Sequence, residues 1–265
     1  MTLDEICNIK DETEKVNKIY ETINEDARLT SGKASRVEFL TTVRYIEKYL
    51  KSGDKILDVG AGTGIYSLFF ANKGYEVNAL ELAAANIKMF EKKITSDLKL
   101  NLQQGNGMDL SRYEDESFDI VLVFGPLYHL SKLEDKLKCL EEAKRVCKKD
   151  GKIFIAFIGK EAAFIADGCH YNPDFWLCDE YDHDTFEILK SPFVLNSVDE
   201  AKDIVTSAGI HIDHLVASDG ISESLADKID KFTDEQYAQY IKWHYHSCES
   251  IYMLGTSSHL LFVGR

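Results

Sequence analysis

The segment Leu57-Asp58-Val59-Gly60-Ala61-Gly62-Thr63-Gly64 constrains what this chain can fold into more than any other. It closes a short apolar run, KILDV over Lys55–Val59, and leads into Ile65–Lys73, whose apolar residues have helical spacing. Three glycines at alternate positions, where a strand turns into a helix, make positive φ accessible and remove the Cβ atoms that would keep a ligand off the backbone. Such a loop can receive a carboxylate or a phosphate. It is not a P-loop, because no Gly-Lys-Ser/Thr follows. The dinucleotide fingerprint needs its third glycine where Ile65 stands, which disfavours a nicotinamide cofactor.

Around this turn the sequence alternates. Strands are expected at Glu76–Leu82, Leu98–Gln104, Phe118–Phe124, Lys152–Ile158, Ile210–Ala217 and His259–Val263, and helices at Ala83–Ile94, Leu133–Cys147, Ser197–Ala208 and Ser222–Ser250, with a turn at Lys148–Gly151. Residues 11–29 and 34–51 read as two amphipathic helices, with Val16, Ile19, Tyr20 and Ile23 on one face of the first. Strands alternating with helices predict a doubly wound α/β fold with a mostly parallel, seven-stranded sheet covered on both faces. The period is lost across 159–196. The expected organisation is therefore an N-terminal helical cap (1–51), an α/β core (52–158), an inserted lid (159–196) and the remainder of the core with a long helix (197–265).

The ordered motifs resemble those of class I S-adenosylmethionine-dependent methyltransferases, whose first motif reads apolar-apolar-Asp-x-Gly-x-Gly-x-Gly. Glu81 ends the second strand about 20 residues after the loop, where a carboxylate accepts hydrogen bonds from ribose hydroxyls. Gly105-Asn106-Gly107-Met108-Asp109-Leu110 is similar to the family's Gly-Asp-x-x-Asp-Leu, with Asn106 departing from the pattern, and Phe118-Asp119-Ile120-Val121 resembles its fourth-strand motif. The resemblance covers roughly Leu50 to Ile158. It implies a Rossmann-like methyltransferase fold binding S-adenosyl-L-methionine and releasing S-adenosyl-L-homocysteine. The cofactor residues it implies are Asp58, Gly60, Ala61, Gly62, Gly64, Glu81, Leu82, Asn106, Met108, Asp109 and Phe124. It adds Tyr20 and Arg28 from an N-terminal helix like the one that folds over the cofactor in small-molecule members. Alternatively, Tyr20 packs in its helix and Arg28 pairs with a surface acid.

Composition narrows the acceptor. The 31 basic and 45 acidic residues leave a net charge of −14, which repels a phosphate backbone, so nucleic acid is not an expected partner. No stretch approaches the ~18 apolar residues of a membrane span and no export signal opens the chain, so a cytoplasmic protein with reduced cysteines is expected, away from the membrane, as a monomer or homodimer. Cys169, His170, Cys178 and His183 lie close in sequence, but their spacing fits no metal pattern, and no metal is expected. Residues 160–265 hold 7 basic and 19 acidic side chains, and the lid mixes acids with Tyr171, Phe175, Trp176, Tyr181 and Phe186. That mixture suits an amine-bearing small molecule, with Trp176, Tyr181 and Trp243 as candidate substrate contacts. It would also make an ordinary solvated lid.

Methyl transfer from a sulfonium needs a nucleophile held in line about 3 Å from the methyl, with water excluded. Where a proton must leave an amine or hydroxyl, the candidate base nearest the fourth strand is His129, beside Tyr128; alternatively, His129 caps or hydrogen-bonds the helix that follows. The alternatives are a cofactor-binding sensor or partner protein without chemistry, a nicotinamide-dependent oxidoreductase, and a protein or RNA methyltransferase, for which no basic tract speaks.

Overall fold

Apolar strands are stable only where both faces are covered, and the covering here follows from side chains alternating across each strand. The structure is a computed structural model that describes residues 3–23 and 25–265. Its described strands are β1 (Lys55–Val59), β2 (Glu76–Glu81), β3 (Leu100–Gln104), β4 (Phe118–Val123), β5 (Cys147–Gly159), β6 (Leu195–Asn196), β7 (Ile212–Ala217) and β8 (His259–Gly264). They form one sheet in the order β3-β2-β1-β4-β5-β8-β7, with the two-residue β6 beside the end of β5. The first five run parallel; β8 lies antiparallel between β5 and β7.

The helices are α1 (Leu3–Cys7), α2 (Glu12–Thr22), α3 (Arg36–Glu47), α4 (Ile65–Asn72), α5 (Ala84–Glu91), α6 (Leu133–Val146), α7 (Lys160–Ala166), α8 (Val198–Ser207), α9 (Ala226–Ile229), α10 (Asp234–Ser247) and α11 (Ile251–Leu254). Leu57, Val59, Val121, Val123 and Ile155 face Leu140 and Ala143 of α6 and Val205 of α8. Their strand neighbours Ile56, Ile120, Leu122 and Phe154 face Ile46 of α3 and Phe70 of α4. Among the described residues no helix is long and apolar enough to cross a membrane.

Three expected elements differ. The helix expected over 222–250 is two, because Thr233 starts a new one: its hydroxyl accepts from the Gln236 N–H at 3.2 Å, and the Gln236 side chain accepts from the Thr233 N–H at 2.8 Å. The helix expected over 11–29 stops at Thr22. The Lys148–Gly151 turn lies within β5, whose register against β4 jumps from Phe118↔Cys147 to Ile120↔Lys152.

Topology fixes where a ligand can sit. From β1 the chain moves outward to β2 and β3 and then returns to the other side of β1 as β4. At that reversal the carboxyl ends of β1 and β4 part, leaving the crevice in which open α/β sheets bind ligands. The glycine loop and the Phe124–Pro126 segment both leave the sheet there.

Candidate active site

The three glycines of the loop are needed for different reasons. All have positive φ, 77° at Gly60, 57° at Gly62 and 87° at Gly64. A Cβ on Gly60 would stand 2.7 Å from Pro126 Cδ, so this glycine lets the loops after β1 and β4 touch. A Cβ on Gly64 would fall 2.2 Å from the ring of Phe90 on α5. At Gly62 the nearest atom to such a Cβ is Glu25 Cγ at 4.0 Å, and the space belongs to the pocket. Gly60 and Ala61 donate to the Leu80 carbonyl at 2.8 and 3.1 Å, which staples the loop to β2.

Glu81 completes that wall. Its carboxylate accepts from the N–H groups of Gly62 and Ala83, both at 2.8 Å, and from the Asn86 amide at 3.3 Å. Burial raises its pKa against these hydrogen bonds. Asp58, 1% exposed, accepts from the Ser67 hydroxyl at 2.6 Å, and burial pushes its pKa up to about 7. Around these groups one pocket brings together Tyr20, Arg28, Asp58, Gly60, Ala61, Gly62, Glu81, Leu82, Asn106, Met108, Phe124, Tyr128 and His129.

Two expected cofactor residues are not in that lining. Gly64 sits behind the loop as the N-cap of α4, packed on Phe90. Asp109 is exposed and accepts from the Ser111 N–H at 3.1 Å, while Asn106 and Met108 take the pocket side of the same turn.

The expected base is deeply placed. His129 Nε2 pairs with the Tyr20 hydroxyl at 2.9 Å, and its Nδ1 is buried with no hydrogen-bond partner among the described residues. Burial, helped by Lys15, pushes its pKa down to about 3, so the ring is uncharged at neutral pH but weakly basic. The adjacent Tyr128 hydroxyl donates to the Phe124 carbonyl.

Arg28 is also committed. It reaches Glu25 at 2.5 Å and Glu38 at 2.6 Å. Beyond Glu38 stands His259, whose Nδ1 lies 2.7 Å from Asp219 and 3.3 Å from Glu38. Burial works against a charge on His259, but Glu38 and Asp219 outweigh it and raise its pKa to about 9. Glu38, Asp219 and His259 are grouped closely enough to hold a metal ion, yet a protonated imidazole is a poor ligand and already serves both carboxylates. Nothing in local sequence spacing marks this chain of charges, because its members come from the segment after α2, from α3, from the loop after β7 and from β8.

Tyr20, Glu25, Arg28, Glu38, Tyr128 and His259 also line a second cavity, of about 860 Å³, beneath the lid. The three expected substrate residues do not face it. Trp176 donates from Nε1 to the Gly168 carbonyl at 2.9 Å, with its ring against that glycine. Tyr181 is buried among Phe164 and Phe175 and donates to the Trp176 carbonyl at 3.0 Å. Trp243 stands on α10, half-exposed, beside Tyr240. The aromatic rings that do line the cavity include Tyr171, Phe175 and Phe193.

Residues 57–155 match the methyltransferase domain family. The chain is 29% identical over 150 residues to the demethylmenaquinone methyltransferase of Lysinibacillus sphaericus, a match covering 54% of this chain and 62% of that one. It is 28% identical over 164 residues to a ubiquinone biosynthesis O-methyltransferase of Pasteurella multocida, with 57% and 66% covered. The chain thus spans less than two thirds of the length of these curated relatives. Geranyl diphosphate C-methyltransferase from Streptomyces coelicolor superposes with a TM-score of 0.60 over 97% of this chain and 98% of that one, at 12% identity, which is a likeness of fold.

Proposed function

We propose, from the premise that this chain carries a class I S-adenosylmethionine-dependent methyltransferase domain, that it transfers a methyl group from S-adenosylmethionine to a small-molecule acceptor at nitrogen or oxygen. The observation that carries the reading is the wall formed by Gly62 and Glu81: a glycine whose missing side chain leaves room in the pocket, its N–H hydrogen-bonded to a buried carboxylate that lines the same pocket. The amino-acid end of S-adenosylmethionine fits the glycine loop, its ribose fits Glu81, and its adenine fits the Asn106–Met108 turn. When bound, it supplies a methyl group on a positively charged sulfur, open to in-line displacement by a nucleophile.

The protein's own work is then positioning and exclusion of water. Tyr20 on α2 and His129 after β4 close the pocket from opposite sides through their shared hydrogen bond. An imidazole kept neutral by burial adds no positive charge beside a sulfonium, whereas a base this weak takes few protons from an acceptor. His129 is thus a positioning residue for Tyr20, in place of the general base expected from the sequence. The net charge of −14 favours a small molecule over a nucleic acid. A second reading, a cofactor-binding sensor without chemistry, differs only in lacking transfer to any acceptor.

Calorimetry with S-adenosylhomocysteine tests the reading. A saturable heat, weakened about tenfold or more in Glu81→Gln because a charge-assisted hydrogen bond is lost, is expected. No heat from this compound or from S-adenosylmethionine would overturn it.

A further inference from the structure

The cavity beneath the lid is lined by charge of mostly one sign. Asp167, Glu180, Glu223, Asp227 and Asp230 face it. Its cations Arg28 and His259 are already held by Glu25, Glu38 and Asp219; His170 lies 3.9 Å from Asp227, and Lys190 is exposed. Glu223 accepts from the Tyr171 hydroxyl at 2.5 Å, and Asp230 accepts from the Ala34 N–H at 2.8 Å. Asp167 differs from these. It is half-buried, and among the described residues its carboxylate has no hydrogen bond or ion pair. Burial, then the neighbouring carboxylates of Glu223 and Glu180, push its pKa up to about 6, an environment that a positive charge would relieve.

An independent feature lies in the same wall. Ser258 is 3% exposed and lines the cavity, and among the described residues its hydroxyl has no hydrogen-bond partner. Buried hydroxyls are ordinarily satisfied, so this one is an unmet polar group in the wall of the cavity. Phe193 lies 5.4 Å from the His129 ring between centroids, which joins this cavity to the end of the first pocket.

We propose that this cavity is the acceptor site and takes a small molecule bearing a cationic amine, the nitrogen held by Asp167 and Glu223 and the apolar body by Tyr171 and Phe175. The assignment rests on reading the first pocket as the S-adenosylmethionine site. Paired carboxylates give the ammonium charge-assisted hydrogen bonds, and the aromatic faces add cation–π attraction.

The test titrates 2-phenylethylamine, 2-phenylethanol and 3-phenylpropanoate into the full chain by calorimetry, with and without S-adenosylhomocysteine. The amine is expected to bind about tenfold or more tighter than the alcohol or the acid, with that advantage reduced about tenfold in Asp167→Asn and in Glu223→Gln, the scale of one hydrogen bond to a charged group. Neither substituted side chain lines the first pocket, so both variants should keep the wild-type affinity for S-adenosylhomocysteine, which also shows that they are folded. Equal affinity for the three probes, preference for the acid, no binding of the amine, or an amine affinity unmoved by both substitutions overturns the proposal. Heat from S-adenosylhomocysteine without an amine preference leaves the transferase reading standing; an amine preference without that heat removes the transferase reading and keeps the amine site.

Discussion

Alanine at Gly62 and alanine at Gly64 separate a glycine that makes room for a ligand from one that makes room for the fold. At both positions a side chain must adopt positive φ, which costs about 1–2 kcal/mol. At Gly64 the new methyl also lands 2.2–2.4 Å from three carbons of the Phe90 ring. That ring is fully buried and packs with Ala61 and Ala79, so it has little freedom to yield. Overpacking of this kind adds about 1–3 kcal/mol, for a total near 2–5 kcal/mol. This is a large share of the roughly 5–15 kcal/mol by which a typical domain is stable. At Gly62 the methyl meets only Glu25 Cγ at 4.0 Å, so the backbone cost stands alone. The same methyl would occupy the pocket wall, and forcing a ligand past it costs about 1–3 kcal/mol, roughly 5- to 150-fold in affinity. Urea unfolding followed by circular dichroism gives the first quantity, provided the denaturant slope is unchanged. Calorimetry with S-adenosylhomocysteine gives the second. The reasoning is refuted if Gly62→Ala loses more stability than Gly64→Ala, or if Gly62→Ala binds like the wild type.

His259 makes stability depend on pH. Its folded pKa of about 9 lies above the ordinary value of about 6.5, so its contribution is complete below that lower value and disappears as pH rises through 9, a loss of order 3 kcal/mol. Denaturation midpoints measured from pH 6 to 10 should fall in the wild type and fall less in His259→Gln; parallel curves would count against the ion-pair chain. His129 should leave no trace in a pH–rate profile between pH 5 and 8, since it remains neutral throughout. His129→Asn is expected to weaken S-adenosylhomocysteine binding through the lost Tyr20 contact; an ionisation near pH 6–7 that vanishes in the variant would restore the base.

What could be read in advance was local. The apolar runs of KILDV and Phe118–Phe124 and the glycines between strand and helix declare themselves over a few residues, and the sheet followed from them. The division of the C-terminal helix was also written locally, in Thr233 and Gln236, but the apolar spacing continues across it and masks the cap. Distant packing set the remainder. No spacing tells that Trp176 turns onto Gly168 while Phe193 faces the cavity, since lid residues without a period carry no direction. His129 was legible as a pocket residue, but its basicity depends on burial beneath a helix more than 100 positions earlier. Arg28, Glu38, Asp219 and His259 meet only after the sheet is complete, so their shared charge is invisible in one dimension.

The placement of β8 has a consequence for how this chain is made. The last of the described strands along the sequence is an interior one, and among the described residues β8 is the only strand that pairs with β7. A chain that has emerged only as far as Ser258 leaves one edge of β5 and the whole of β7 without a strand partner. Completion is therefore abrupt: the same six residues that fill this place deliver His259 to Asp219, and a chain interrupted before His259 would lack both at once.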